Sequence, residues 1–213
     1  MDEHTNEILD IKLEQCRKNL ERNQMRTYVV DNITQLHHLL DELIEDETTV
    51  NVGGSQTLLE TNTIDYLRNR NICFQDRYVE GLTREQVLEI YRKAFLCDTY
   101  LCSSNAVTMD GLLVNIDGNG NRVSAMTFGP KQVILIVSTN KIVKNEEEAL
   151  ERIKRFVAPS NAVRLHKNTP CVKTGMCMDC KSKDSICASK VVLSRQIIKD
   201  RIKIIFIKEQ FGY

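Results

Sequence analysis

The chain has 213 residues, 42% of them hydrophobic and 27% charged, and its 29 basic residues balance 29 acidic ones. A chain of this length buries roughly 70% of the surface that its unfolded form exposes, so it needs no disulfide or metal to stabilise its core. Zero net charge argues against nucleic acid as a partner, because nucleic-acid-binding proteins usually carry a positive excess. The longest apolar runs fall well below the roughly 20 residues of a membrane span, so no membrane partner is expected.

The N-terminal segment and the cysteine count indicate the compartment. The segment reads MDEHTNEILDIKLEQ, which is acidic and amphipathic and lacks the basic start and apolar run of a signal peptide. Eight cysteines without an export signal indicate a reducing environment, where thiols serve metals or redox chemistry rather than disulfides. We therefore expect a cytoplasmic protein.

Helices and strands alternate along most of the chain. The spacing of apolar residues predicts an N-terminal helix at about 5–24. Later helices are predicted after the capping residues Asn32, Thr83 and Asn145, and at 56–69, with Pro159 as a stop. Strands are predicted at 26–30, 49–52, 71–75, 99–103, 111–116, 131–138, 190–193 and 201–207.

This order of elements predicts an α/β fold with an open, mostly parallel sheet. The unbroken apolar run at 131–138 is typical of a central parallel strand that is covered on both faces. No repeat or linker divides the sequence, so we expect a single domain over 1–213, with 166–189 as an irregular cysteine-rich loop.

Four cysteines in that loop form the sharpest motif, with the spacing C-x5-C-x2-C-x6-C. They are Cys171, Cys177, Cys180 and Cys187. Ordering such a loop costs conformational entropy, which a tetrathiolate metal site can offset. Four thiolates suit either tetrahedral Zn²⁺ or a [4Fe–4S] cluster, and the spacing does not decide between them. A redox disulfide between Cys177 and Cys180, or four incidental thiols, are the alternatives.

A second motif follows the strand at 49–52. The residues are Gly53, Gly54, Ser55, Gln56 and Thr57. Two glycines before a helix allow close approach of an anion to free backbone N–H groups. The alternative is an ordinary turn in which Ser55 caps the helix.

Two polar segments are expected near the same edge of the sheet. Ser104 and Asn105 directly follow a strand, and ligands of open α/β sheets bind outside the carboxyl ends of the strands. The turn with Asp117, Asn119, Asn121 and Arg122 imitates a calcium loop, but Arg122 stands where that loop needs Gly. We interpret it as a tight turn whose polar groups line a pocket if they face Gly54. The predicted ligand-binding residues are Gly53, Gly54, Ser55, Gln56, Thr57, Ser104, Asn105, Asp117, Asn119, Asn121 and Arg122.

Three stretches together resemble one known family. They read VGGSQTLLE, SSNAVTMDGLLVNIDGNGNRVSAMTFGPKQVILIVSTNKIV and TPCVKTGMCMDCKSKDSIC. From about Val50 onward the chain resembles the lactate-utilisation (LUD) domain family, similar in fold to ribose-phosphate isomerase, glucosamine-phosphate deaminase and CoA-transferase domains. The resemblance implies a Rossmann-like, mostly parallel sheet with helices on both faces. It also implies a small anionic metabolite as ligand, a role in lactate or organic-acid oxidation, and an iron–sulfur redox partner protein.

Three functional hypotheses stay open. In the first, the chain binds an organic anion and carries a [4Fe–4S] centre for electron transfer or redox sensing. In the second, it is a non-redox ligand-binding or regulatory protein whose loop is ordered by Zn²⁺. A hydrolase or transferase is the third, although no nucleophile–base constellation stands out in the sequence.

Overall fold

The main sheet of the protein has six strands, all parallel. The structure is a computed structural model and describes residues 3–213. From one edge to the other, with numbers in chain order, the strands are β1 (Arg26–Val30), β10 (Ile202–Ile207), β7 (Gln132–Ser138), β4 (Thr99–Cys102), β2 (Thr49–Val52) and β3 (Cys73–Gln75). This arrangement confirms the predicted α/β, Rossmann-like fold with a mostly parallel sheet.

Strand β7 shows why the sheet is covered on both faces. Its side chains alternate between two hydrophobic clusters, with Val133, Leu135 and Val137 in one and Ile134 and Ile136 in the other. All five are fully buried. Burying each such side chain stabilises the fold by about 1.5–3 kcal/mol, so the central strand needs an apolar residue at every position.

Helices flank the sheet and begin where the sequence predicts caps. Asn32 and Asn145 each accept a hydrogen bond from a backbone N–H three residues later, and Thr83 forms a capping box with Gln86. The α-helices are α1 (Glu3–Arg22), α2 (Ile33–Leu43), α3 (Gln56–Glu60), α4 (Thr63–Arg68), α5 (Arg84–Lys93), α6 (Asn121–Thr127), α7 (Glu146–Arg152), α8 (Ala158–Arg164) and α9 (Pro170–Thr174). Within residues 3–213, none of the helices combines the length and apolarity needed to cross a bilayer.

Two predicted helix boundaries are wrong. The helix expected at 56–69 is split into α3 and α4, because Asn62 adopts a left-handed conformation with φ 52°. Pro159 was expected to end a helix but lies in the first turn of α8. A π-helical turn, Ile153–Val157, precedes it. This wider turn accommodates the missing N–H of proline between two helical segments.

A second, smaller sheet was not predicted. Its order is β8 (Ile142–Val143), β5 (Ala106–Thr108), β6 (Leu113–Asp117) and β9 (Ser189–Leu193). β6 pairs antiparallel with both β5 and β9, whereas β8 is parallel to β5. The predicted strands 111–116 and 190–193 therefore belong to this sheet and not to the main one. Because β9 pairs with β6, it brings the end of the cysteine-rich loop to Asp117.

Candidate functional site

A cavity of about 480 Å³ lies beyond the carboxyl ends of β2, β4 and β7. It is lined by residues from the loops after these strands, from the 117–122 segment and from the cysteine-rich loop. The tight turn predicted for 117–122 is shorter than expected, because Asp117 ends β6 and Asn121 and Arg122 begin α6. Of the residues predicted to bind a ligand, those that line the cavity are Gly54, Ser55, Gln56, Ser104, Asn105, Asp117, Asn119, Asn121 and Arg122. The structure thus brings three separate sequence motifs to one place, although their role in ligand binding stays a prediction.

Gly53 and Thr57 do not line the cavity and have supporting positions. A Cβ atom on Gly53 would lie 2.7 Å from the hydroxyl of Tyr100 and 3.0 Å from Cβ of Cys102, so only glycine fits there. Thr57 is buried and accepts a hydrogen bond from Lys141. These two residues support the cavity wall from the protein interior.

Arg122 organises the floor of the cavity. Its Nε donates to Asp117 at 3.2 Å, and one terminal nitrogen donates to Asn115 at 2.6 Å and to the carbonyl of Ser103 at 2.9 Å. The other terminal nitrogen donates to Asn105 and to a carbonyl of β6. With these bonds made, the guanidinium holds the two sheets together and has no free donor for a ligand.

The helix that was expected to offer its N-terminus to an anion is short. Helix α3 has only 5 residues, and Ser55 caps it by accepting from the N–H of Leu58 at 3.3 Å. The predicted anion site at this helix terminus is therefore not supported by the length of α3, and the charges at the cavity belong to side chains.

Seven cationic side chains line the cavity, against two carboxylates. The cations are Arg77, Arg84, Arg122, Lys141, Arg164, Lys167 and Lys183, and the carboxylates are Asp117 and Asp184. Among residues 3–213, Arg122 is the only one of these cations in an ion pair, with Asp117. Six of these basic side chains on one concave surface are left without a carboxylate partner, and the five other than Lys141 favour an anionic ligand.

Most of these cations escaped the sequence reasoning because they are far apart along the chain. Lys141 follows β7 and Arg77 follows β3, so the rule that ligands bind at strand carboxyl ends would have found them. Arg164 is the last residue of α8 and Lys167 follows that helix, and no sequence pattern places them near Gly54.

Arg77 lies directly over the glycine turn. A Cβ atom on Gly54 would be 3.2 Å from one of its terminal nitrogens. Its guanidinium stacks on the ring of Tyr91, 4.6 Å from the centroid, and lies 5.4 Å from that of Tyr78. Stacking holds the planar group in place while its N–H donors stay free at the edge, a good arrangement for binding a carboxylate or phosphate.

Lys141 is the most unusual of the lining residues. It is only 2% exposed, and its Nζ donates to Thr57 Oγ1 at 2.7 Å and to Ser103 Oγ at 3.1 Å. Burial, together with the positive charges of Arg152 and Arg122, lowers the pKa of Lys141 to about 7, and Glu60 opposes the shift. A buried lysine without a carboxylate is costly, which is a pattern typical of functional sites.

The cysteine-rich loop forms one wall of the same cavity. Residues 183–186 line it, and the backbone N–H of Ala188 donates to the carbonyl of Asp117 at 3.0 Å. Gly118 lies so close to the loop that a Cβ atom there would be 3.2 Å from Cα of Ile186. The glycine turn and the cysteine loop, distant in sequence, therefore border one site.

The four loop cysteines lie within electrostatic range of one another around Cys187. The pKa of Cys187 is raised to about 11, first by burial of its thiol and then by the negative charges of Cys177, Cys171 and Cys180. In the C-x2-C segment, the N–H of Asp179 points at Sγ of Cys177 at 3.4 Å. All four are free thiols.

The cysteine loop offers the right donors without a finished coordination geometry. Among residues 3–213, no three His, Cys, Asp or Glu side chains are already close enough together to hold a metal ion. The four thiols nevertheless share one loop, and the other three are close enough to Cys187 to influence its pKa. The donor set fits a thiolate-bound metal.

Comparison with known proteins agrees with this architecture, that of an α/β protein whose main sheet is parallel and flanked by helices. The family model described as LUD domain matches residues 13–207, and the chain belongs to the LUD domain family. A crystal structure of a DUF162 family protein from Deinococcus radiodurans is similar in fold, with a TM-score of 0.53 and 12% sequence identity over 93% of this chain and 98% of that one. No curated protein matches the sequence significantly.

Proposed function

We propose that this protein binds a small organic anion, carboxylate or phosphate, in the cavity at the carboxyl edge of the main sheet. The carrying observation is the set of six lining cations that have no carboxylate partner among the described residues. The stacked guanidinium of Arg77 and the close glycine turn at Gly54 support it, because together they leave donors and space for an anionic group.

Family membership narrows the class of anion. Some LUD proteins belong to iron–sulfur systems that oxidise L-lactate to pyruvate, so small hydroxy and oxo acids are the first candidates, and an iron–sulfur redox protein is the candidate partner. Oxidation of a hydroxy acid to an oxo acid releases two electrons and two protons, and an iron–sulfur partner would have to take up both electrons, one at a time through its clusters.

The binding proposal is tested by calorimetry with inorganic phosphate, L-lactate, pyruvate and ribose 5-phosphate at low and high salt. Glycerol and ribose serve as uncharged controls. We expect anions alone to bind, and more weakly as salt rises, because screening weakens charge attraction. Equal binding of charged and uncharged probes, or no binding of any anion, would contradict the proposal.

We also propose that Cys171, Cys177, Cys180 and Cys187 bind a metal centre, either a [4Fe–4S] cluster or Zn²⁺. Their shared loop and mutual electrostatic range support this. A cluster would supply one-electron transfer beside the anion site, whereas Zn²⁺ would only order the loop. The latter case corresponds to a non-redox ligand-binding or regulatory protein.

Metal and acid-labile sulfide analysis of protein purified without oxygen decides between these cases. Iron with sulfide and a broad visible absorption identify a cluster, and zinc alone identifies a structural site. The double variant Cys177→Ser/Cys180→Ser should lose the metal, whereas Cys73→Ser, an exposed cysteine on an edge strand, should keep it. Wild-type protein without stoichiometric metal would overturn this part of the proposal.

A further inference from the structure

The amine of Lys141 lies at the cavity wall and is held in a fixed position, as a reacting group must be. The residue follows β7, the strand between β10 and β4 in the main sheet, and is held at the cavity wall by two hydroxyl groups. Rigid elements fix its position: Thr57 belongs to α3 and Ser103 follows β4. The C-terminal segment packs against it from another side, since a Cβ atom on Gly212 would be 3.2 Å from Nζ.

A purely structural role accounts poorly for this lysine. A structural lysine normally pairs with a carboxylate or extends its ammonium group to water. Lys141 does neither within the described residues, since its bonds go to Thr57 and Ser103. The hydroxyls of Thr57 and Ser103 could bond to each other or to a neutral side chain, and no charged group would then be buried. The cost of burying Lys141 therefore argues that the residue acts on a ligand.

The charged groups around Lys141 favour the neutral amine. Arg152 donates to the carbonyl of Asn105 at 2.8 Å and lies near Lys141 from α7, while Arg122 approaches from α6. The nearest opposing charge is Glu60 on α3, whose carboxylate accepts a hydrogen bond from the N–H of Gly212. Desolvation beside other cations is a known way of making a lysine nucleophilic.

We propose that Nζ of Lys141 forms an imine with the carbonyl carbon of a small anionic carbonyl compound bound in this cavity. The inference rests on the proposed anion binding, since the free cations hold the carboxylate or phosphate of the same molecule. The lone pair of the amine attacks the carbonyl carbon, a C–N bond forms, and a proton passes from nitrogen to oxygen. The resulting carbinolamine then loses water to leave a C=N bond, so no oxidant or reductant is consumed.

The hydroxyls of Thr57 and Ser103 have defined parts in this step. Each accepts a hydrogen bond from Nζ and also carries a proton of its own. They orient the nitrogen and offer a short route for the proton between nitrogen and carbonyl oxygen. They are positioning residues, and Lys141 is the residue that touches the reacting carbon.

The test is reductive trapping of the full-length protein. The protein is incubated with pyruvate or with ribose 5-phosphate and treated with sodium borohydride, which reduces an imine to a stable secondary amine. Intact-mass and peptide analysis should find one added probe molecule, on Lys141. The two probes distinguish a carboxylate from a phosphate as the anionic group.

Matched variants identify the reacting amine. Lys141→Arg keeps the positive charge but cannot form the imine, so the adduct should fall to the level of the sample without probe. Lys131→Arg, at the opposite end of β7, should trap as wild type does. An adduct spread over surface lysines, or one that persists in Lys141→Arg, overturns the proposal.

The pH dependence gives a second readout that needs no variant. Only the neutral amine attacks a carbonyl, so trapping at Lys141 should rise with pH around a midpoint near its pKa of about 7. An exposed lysine should show its midpoint near 10.4. Trapping that increases only at such high pH would contradict the special role of Lys141.

Binding measured separately distinguishes the two proposals. If phosphate or pyruvate binds by calorimetry but no adduct forms, the imine is wrong and anion binding survives. If no anion binds and no adduct forms, both proposals fail together.

Discussion

Two lysines bracket strand β7, and their surroundings differ at the two edges of the main sheet. At the amino edge, the side chain of Lys131 is 80% exposed and its Nζ lies 2.6 Å from a carboxylate oxygen of Asp98. At the carboxyl edge, Lys141 is only 2% exposed and has hydroxyl partners. Lys131 is paired with a carboxylate, whereas Lys141 has no carboxylate partner among the described residues.

The paired charges at the amino edge connect strands of the main sheet. Asp98 also accepts hydrogen bonds from the backbone N–H and the hydroxyl of Thr49, at 2.9 and 2.6 Å, and so ties β2 to the start of β7. The hydrogen bonds from Lys131 and Thr49 lower the pKa of Asp98 below its ordinary value. The charge of Asp98 at the amino edge is thus paired within the fold, whereas six cations around the cavity at the carboxyl edge have no carboxylate partner among residues 3–213, as the proposed anion site requires.

The largest effect is expected from removing cavity cations. Arg77→Gln combined with Lys183→Gln should weaken the binding of inorganic phosphate by at least about a hundredfold, because two charged hydrogen bonds of about 1.5–3 kcal/mol each are lost. Calorimetry measures the loss, and Lys131→Gln should leave the affinity unchanged. Equal losses in both proteins would remove the distinction between the two edges.

The amino edge is probed by Asp98→Ala. We expect the free energy of unfolding to fall by about 1–3 kcal/mol, because the hydroxyl and N–H of Thr49 lose a charged acceptor. Urea unfolding measures this change, and anion affinity should stay at the wild-type value.

The effect of Asp98→Ala should also depend on pH. Because the folded-state pKa of Asp98 is lowered from 3.8, its stabilisation is complete above pH 3.8 and is lost as the pH falls further. The gap in unfolding free energy between wild type and variant should therefore narrow in acid. A gap that stays constant down to pH 2 would assign the effect to packing instead of charge.

Lys141→Met should stabilise the protein while abolishing imine formation. Below its folded-state pKa of about 7, Lys141 is charged in both states and its burial cost is complete. Between that pH and 10.5 the unfolded chain binds the extra proton, so the cost disappears as pH rises. We expect a gain of about 1–3 kcal/mol at pH 7, offset partly by two lost hydrogen bonds, and none near pH 10.5.

Urea unfolding of wild type and Lys141→Met across this pH range checks the sign. A variant that is less stable than wild type at pH 7 would show that the buried amine stabilises the fold, contrary to a reserved functional role.

The smallest effect is expected from Thr57→Val. The ammonium form of Lys141 loses one hydrogen-bond acceptor, so its pKa should drop by roughly half a unit to one unit. The pH midpoint of borohydride trapping with pyruvate reports the shift. An unchanged midpoint would show that the Thr57 hydroxyl does not hold the amine.

Much of the fold could be predicted because its signals are local. The apolar run of β7 and the caps at Asn32, Thr83 and Asn145 each depend on residues a few positions apart, and the structure confirms them. The break at Asn62 escaped because apolar periodicity continues on both sides of it.

The cavity was only partly predictable, because some of its lining residues have local sequence signals and others do not. Gly54, Asn105 and Asn119 lie in recognisable loops, and strand topology brings them together. Strands β8 and β5 of the second sheet have only two and three residues, too few to show a periodic pattern. The pairing of β9 with β6, which brings the cysteine loop to the cavity wall, has no local sequence signal either. Long-range pairing of this kind depends on tertiary structure and not on local propensity.

Residues 183–186 belong both to the cysteine loop and to the cavity wall, so the two proposed sites share this segment. A species that bound the thiols and ordered the loop would alter the surface that an anion meets, and a bound anion would in turn favour one arrangement of the loop. By thermodynamic reciprocity, the factor by which a thiol-bound species changes anion affinity equals the factor by which the anion changes affinity at the thiols. If both proposed sites are occupied, the state of the cysteines and the concentration of the metabolite would each influence binding of the other through residues 183–186.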